Sequence, residues 1–184
     1  TAEDVKDDLG SEYYSDPDDQ ATLLGIGYGR VLEQVQGNYR INAEFEASYI
    51  FGADIKILGA GGNVKPTTKA IFANLIYDKY IIDKTFLKIG GGIGFSRTDV
   101  DTNYNDGTTT FSGSYENDLK FSYHYTIGLG IELSNNNLLD LPYRYANFGD
   151  VRGASGFTNG GDTYAPDKFD NVIQAYMITL RFQM

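Results

Sequence analysis

His124 is the only imidazole in this chain, and cysteine is absent. Thiol nucleophiles, disulfides and multi-histidine zinc sites are thereby excluded. On an extended strand His124 shares a face with Thr126 and Glu132, and a His, a hydroxyl and a carboxylate are the parts of a hydrolytic triad. Glu132, however, lies at least about 20 Å from His124 along such a strand, too far for one constellation. No catalytic residue is assigned, and the chain is read as not an enzyme. The run from Asp99 to Gly107, rich in Asp and Asn, looks like a calcium loop at a glance. Counted from Asp101, it places Asp106 where an EF-hand needs Gly and Ser112 where it needs Glu, so no metal site is assigned. Gly59-Ala60-Gly61-Gly62 lacks the strand–loop–helix context of a phosphate cradle. No cofactor is expected.

What the chain does offer is charge on one phase of alternating segments. Glu44, Glu46, Lys88, Lys120, Glu132, Asp140, Arg144 and Arg181 all fall on the polar side of such segments, four acids against four bases. Charges enclosed together must pair, because an isolated ion away from water is costly. The balanced set predicts an interior ion-pair plug; a charged pore lining is the alternative. The remaining charge is lopsided. Fifteen Lys and Arg face 25 Asp and Glu, a net −10, and residues 1–20 carry eight acids and one base. That balance argues against a nucleic-acid partner. Residues 1–20 read as an acidic extracellular arm or first loop, and residues 21–184 as the folded domain.

The elements that must position these charges are strands. From Tyr39 to Phe51, Ile41, Phe45, Tyr49 and Phe51 share one phase, while Arg40, Asn42, Glu44, Glu46 and Ser48 share the other. From Leu119 to Leu133 every odd residue is apolar and the even ones are Lys, Ser, His, Thr, Gly, Gly and Glu. Weaker alternation elsewhere brings the predicted strands to seven, at roughly 22–32, 38–52, 68–79, 86–97, 117–134, 138–149 and 171–182. The gaps run short, long, short, long, with 53–67, 98–116 and 150–170 long and polar or Gly-rich. Tight turns at one end and long loops at the other are the pattern of an outer-membrane barrel. Two further features favour apolar faces that turn outward to lipid. Glycines concentrate on the polar phase (Gly25, Gly27, Gly29, Gly90, Gly92, Gly94, Gly128, Gly130), where a narrow interior needs small residues. Aromatics gather near strand ends on the apolar phase, as girdles require. A soluble lipocalin-like ligand-binding barrel is the alternative. No run of 18 apolar residues is present, and the first residues lack the apolar core of a signal peptide, so a mature chain with its signal removed is expected.

At Tyr125-Thr126-Ile127-Gly128-Leu129-Gly130-Ile131-Glu132, then Leu139-Asp140-Leu141-Pro142-Tyr143-Arg144-Tyr145-Ala146-Asn147-Phe148-Gly149, the chain resembles the late hairpin of small outer-membrane porin-family barrels, the OmpA-like, OmpX-like and opacity-protein group. Ala73-Asn74-Leu75-Ile76-Tyr77-Asp78 and Ile89-Gly90-Gly91-Gly92-Ile93-Gly94-Phe95 look like the preceding hairpin of that family. Phe182 holds the phase of the family's terminal aromatic, although Gln183 and Met184 follow it. The resemblance implies an all-β, transmembrane, up-and-down antiparallel barrel of eight strands in the bacterial outer membrane. It implies a structural or surface-interaction role, as adhesin or antigen, carried by the long loops; a narrow pore for small solutes is the alternative. The expected partners are outer-membrane lipid and lipopolysaccharide, and a host or cell-surface partner at the loops. Seven visible strands against an even-numbered rule predict that the first strand precedes residue 1, or that another chain or an irregular N-terminal segment fills its place.

Overall fold

The computed structural model describes residues 5–6, 12–14, 20–35, 38–57, 62–105, 110–134, 137–152, 157–159, 162–164 and 168–182. Outside them lie most of the acidic segment 1–20, Gly59 to Gly61, Asp106 and Gly107, Asn135 and Asn136, and Gln183 and Met184. The described residues contain no helix. Their strands are β1 (Val5–Lys6), β2 (Glu12–Tyr14), β3 (Thr22–Val35), β4 (Tyr39–Phe51), β5 (Ile55–Ile57), β6 (Gly62–Ile82) and β7 (Thr85–Asn105). There follow β8 (Thr110–Glu116), β9 (Lys120–Ser134), β10 (Asn137–Arg152), β11 (Phe157–Asn159), β12 (Asp162–Tyr164), β13 (Lys168–Tyr176) and β14 (Thr179–Phe182).

Each of the seven predicted strands is present, and sequence neighbours pair in order. The antiparallel meander runs β3-β4-β6-β7-β9-β10, and β13 and β14 pair with successive stretches of β10 as two halves of one last strand. The turns fit their residues. Between β6 and β7 only Asp83 and Lys84 intervene, and Asp83 takes φ 37°, a left-handed conformation that Asp tolerates. In β10 the register slips between Asn147 and Asp150, and Gly149 sits there at φ 79°, as a bulge needs.

Two expectations are corrected. First, the sheet of the described residues is not closed into the expected barrel, although the seven long strands visible in the sequence are the ones found there. Among the described residues, β3 pairs only with β4, and β13 and β14 only with β10. The physical reason is parity: seven strands antiparallel in turn leave the first and last parallel to each other. The acidic segment is too poor in apolar alternation for a spanning strand, and its described residues include β1 and β2, which reach the sheet through β5. Second, the segments 53–67, 98–116 and 150–170 are not simply loops. β6 begins at Gly62, β7 continues to Asn105 and β8 folds back on it from Thr110 to Glu116. Thr, Val and Tyr favour strand here, but with polar residues on the outer face the apolar alternation inverts and its signal weakens.

The sheet is strongly curled. Arg144 on β10 reaches Glu46 on β4, and Arg181 on β14 reaches Asp78 on β6, although each pair sits four positions apart in the strand order. Inside the curl the polar phase is buried; outside it the apolar phase is exposed. Phe45 is 74% exposed, Ile71 62% and Leu129 53%, whereas Asp78 and Asp140 are 0% exposed. Tyr49, Tyr125, Ile127 and Leu180 are also exposed, and Tyr143 is half-buried.

Candidate functional site

The charged interior forms two layers. Near the short turns, Arg181 donates to both oxygens of Asp78 at 2.9 and 3.1 Å and lies 2.7 Å from Asp140. Lys88 Nζ reaches the same Asp140 at 2.8 Å. On the other side of Asp78, Arg40 Nε approaches at 3.5 Å and Asn42 donates at 3.0 Å. Arg40 also donates to the Tyr80 hydroxyl, which donates to Glu132, each at 2.8 Å. Three bases and three acids, from β4, β6, β7, β9, β10 and β14, make one connected and balanced set. Beneath it the guanidinium groups of Arg40 and Arg181 stand 5.9 and 5.6 Å from the Phe86 ring centre, a cation–π arrangement in a desolvated place.

The second layer is centred on Glu46. Arg144 grips it through two parallel bonds of 2.5 and 2.8 Å, Ser48 donates to it, and Asn74 Nδ2 donates at 2.9 Å. Asn74 Nδ2 also lies 3.3 Å from Glu44, and Asn74 Oδ1 lies 2.9 Å from His124 Nε2. The His124 ring stands edge-on to Phe72, with centres 4.8 Å apart. Room for the His124–Asn74 contact comes from Gly92: a Cβ there would overlap Asn74 Oδ1 and crowd His124 Nε2. This is the close approach that demands a residue without a side chain.

Of the eight residues predicted for the interior cluster, Glu46, Lys88, Asp140, Arg144 and Arg181 form buried or nearly buried ion pairs. Glu132 joins through Tyr80, and Glu44 through Asn74. Lys120 stays half-buried beside the Gly149 bulge, without an ion pair among the described residues. The sequence reading left out Arg40 and Asp78, 1% and 0% exposed, which anchor the first layer. The signal was available, since Arg40 sits in phase with Glu44 and Glu46, and Asp78 in phase with Asn74.

His124, Thr126 and Glu132 do not converge. His124 faces Asn74, Thr126 donates to the Tyr143 carbonyl at 3.0 Å, and Glu132 accepts from Tyr80. Among the described residues, no group of three His, Cys, Asp or Glu side chains gathers as a metal site.

Apolar and hydroxyl layers continue toward the loop end. Phe72 and Phe148 pack with Ile50, Ala70 and Ala146. Asn171 bridges Thr68 and Thr98 at 2.9 and 3.0 Å. Val64, Val100 and Val151 then fill the interior with Ile55 against them. Side chains thus span the interior at several heights. The chain matches no protein-family model and no curated protein sequence.

Proposed function

We propose that this chain forms most of a small outer-membrane β-barrel, completed at its open edge by one further strand, whose strands anchor it in lipid and whose loop end carries a structural or surface-interaction role. One observation carries the reading: a sheet that buries its charges and exposes its apolar side chains. In water that exposure is strongly unfavourable; in a bilayer it is the stable arrangement, because lipid meets the apolar phase and the polar phase is satisfied internally. The size of the band agrees. On β6 the outward residues Ile71, Ala73, Leu75 and Tyr77 lie between Lys69 and Lys79. Ten residues of strand cover roughly 33 Å, and a tilt near 40° makes that about 25 Å of membrane normal, the height of an outer-membrane apolar band. The ion-paired layers and the packed phenylalanines favour a filled barrel over the pore for small solutes. A charged interior also suits a calyx for apolar ligands poorly. The short turns then lie on the periplasmic side and the long β6–β7–β8 extension outside the cell, where lipopolysaccharide and a host or cell-surface partner are met.

Partition is the test. The purified chain is expected to require detergent micelles or lipid for a monodisperse folded state, and to give no channel steps in planar bilayers. Spin labels at 45 and 129 should be quenched by lipid-soluble oxygen and one at 46 should not. A chain that stays folded and monomeric without detergent would overturn the membrane reading; discrete conductance would restore the pore.

A further inference from the structure

The two outer strands of the sheet are left with free edges. Counting pairings from β3 to β13 and β14, every step is antiparallel, so β3 and the last strand point the same way. Among the described residues, neither pairs on its outer side. Their outward side chains also lack lateral cover. Ile26 and Tyr28 on β3 are 78% and 74% exposed, and Tyr176 and Ile178 at the other edge 91% and 78%, against 50% for Ile127 in mid-sheet. An odd number of added strands would make every pairing antiparallel, and the interior limits that number to one. Arg144–Glu46 and Arg181–Asp78 span the curl, and a wider ring, such as two copies joined edge to edge, would pull them apart.

The direction of β1 indicates where that strand comes from. β1 is antiparallel to β2, β2 to β5 and β5 to β6. β1 therefore runs opposite to β6, and opposite to β13, which points the same way as β6. It also comes within 8 Å of β13, Cα to Cα. At the loop end, then, β1 already stands in the column between β13 and the β3 side of the sheet. Its N-terminal end points down the open edge toward the short turns.

We propose that the gap between β3 and the β13–β14 strand seats one further β-strand, antiparallel to both edges and supplied in cis by polypeptide on the N-terminal side of Val5. Its outward residues would lie between Ile26 and Tyr28 on one side and Tyr176 and Ile178 on the other. Its inward residues would lie beside Gly25, Gly27 and Gly29, and at Gly27 and Gly29 a Cβ would run into Glu44 of β4. Backbone groups that are costly to leave bare would then be paired on both edges. The inference follows from strand direction and does not depend on the membrane reading.

Because the chain contains no cysteine, engineered thiols report neighbours without background. A segment of 14 residues, the length of β3, alternating Leu and Thr, is joined to Thr1 and carries a single cysteine at each position in turn. These chains are combined with I26C in one series and with Y176C in the other. The expected result is disulfide formation in both series, at alternate positions of the segment, with slower amide exchange along β3 than in the unextended chain. Crosslinking to one edge only, or to neither, would overturn the proposal. So would equal crosslinking by the same segment added as a free peptide, which would make the site one for a strand in trans. The unextended I26C/Y176C and I26C/I178C chains give a second reading. A linker spanning about 10 Å, twice the interstrand distance, should join the thiols where a direct disulfide does not form. A direct disulfide would show that the edges meet, leaving no seat. Failure to partition into lipid, with the crosslinks intact, would instead count against the membrane function alone.

Discussion

The β6–β7 hairpin contains two opposite proteins. In its turn-end half, Ile71, Leu75, Ile89, Ile93 and Phe95 point outward and are exposed, while Asn74, Asp78 and Lys88 are buried. In its loop-end half the pattern reverses. Lys65, Lys69, Arg97 and Asp101 are outward and exposed, and Val64 and Val100 are buried at 7% and 0%. The outward charges pair with neighbours, Lys65 with Asp54, Lys69 with Asp99 and Arg97 with Glu116. The reversal falls between Lys69 and Ile71 on one strand and between Phe95 and Arg97 on the other, residues held opposite each other in register. One continuous strand pair thus obeys two burial rules. Backbone pairing does not depend on which face is greasy, so the ladder runs straight through. Under the membrane reading the reversal marks where lipid gives way to water.

The comparison breaks most severely at the buried acid of the turn-end half. Asp78→Ala removes the acceptor shared by Arg181, Arg40 and Asn42 and leaves the three buried bases of this layer with one acid fewer. A loss of about 3–5 kcal/mol is expected for breaking such a pair, read by denaturant unfolding in micelles. A loss below about 1 kcal/mol would mean that water reaches this layer.

Outward substitutions separate the halves more sharply. Under the membrane reading, Ile93→Arg should cost about 2–4 kcal/mol in a bilayer, as a charge at mid-depth on the outward face. Lys65→Leu in the loop-end half should change stability by no more than about 0.5–1 kcal/mol. Similar costs for both, from parallel unfolding titrations in lipid vesicles, would remove the boundary between them.

Smaller effects test the loop-end core and surface. Val100→Ala empties part of a packed interior and should cost about 2 kcal/mol, visible as a lowered unfolding midpoint. Lys69→Met deletes an exposed partner of Asp99. Its effect should stay under about 1 kcal/mol and vanish in high salt, which a titration with sodium chloride would check.

How much of this was legible can be judged residue by residue. The even phase of β9, Lys120 to Ser134, reads directly as the inward face, and its odd phase as the outward one. Glu46, Lys88, Asp140, Arg144 and Arg181 were found by phase alone. The extension of β6 and β7 was missed at 62–67 and 98–105, because inward Val64 and Val100 among Thr, Asp and Asn do not continue the earlier alternation. Arg40 and Asp78 were on the right phase, but phase does not say which charges reach each other.

By itself the sequence determined the strands, their order and the two faces of most of them, because an alternation of period two is local and each residue carries its own preference for water or its absence. It also determined that the enclosed charge balances. Only the tertiary structure decided which charges pair, since Arg181 meets Asp78 across four strands through the curl and stagger of the sheet, which no local pattern encodes. That the last strand stands parallel to the first already followed from the count of seven; tertiary structure decided that, among the described residues, neither outer edge finds a partner.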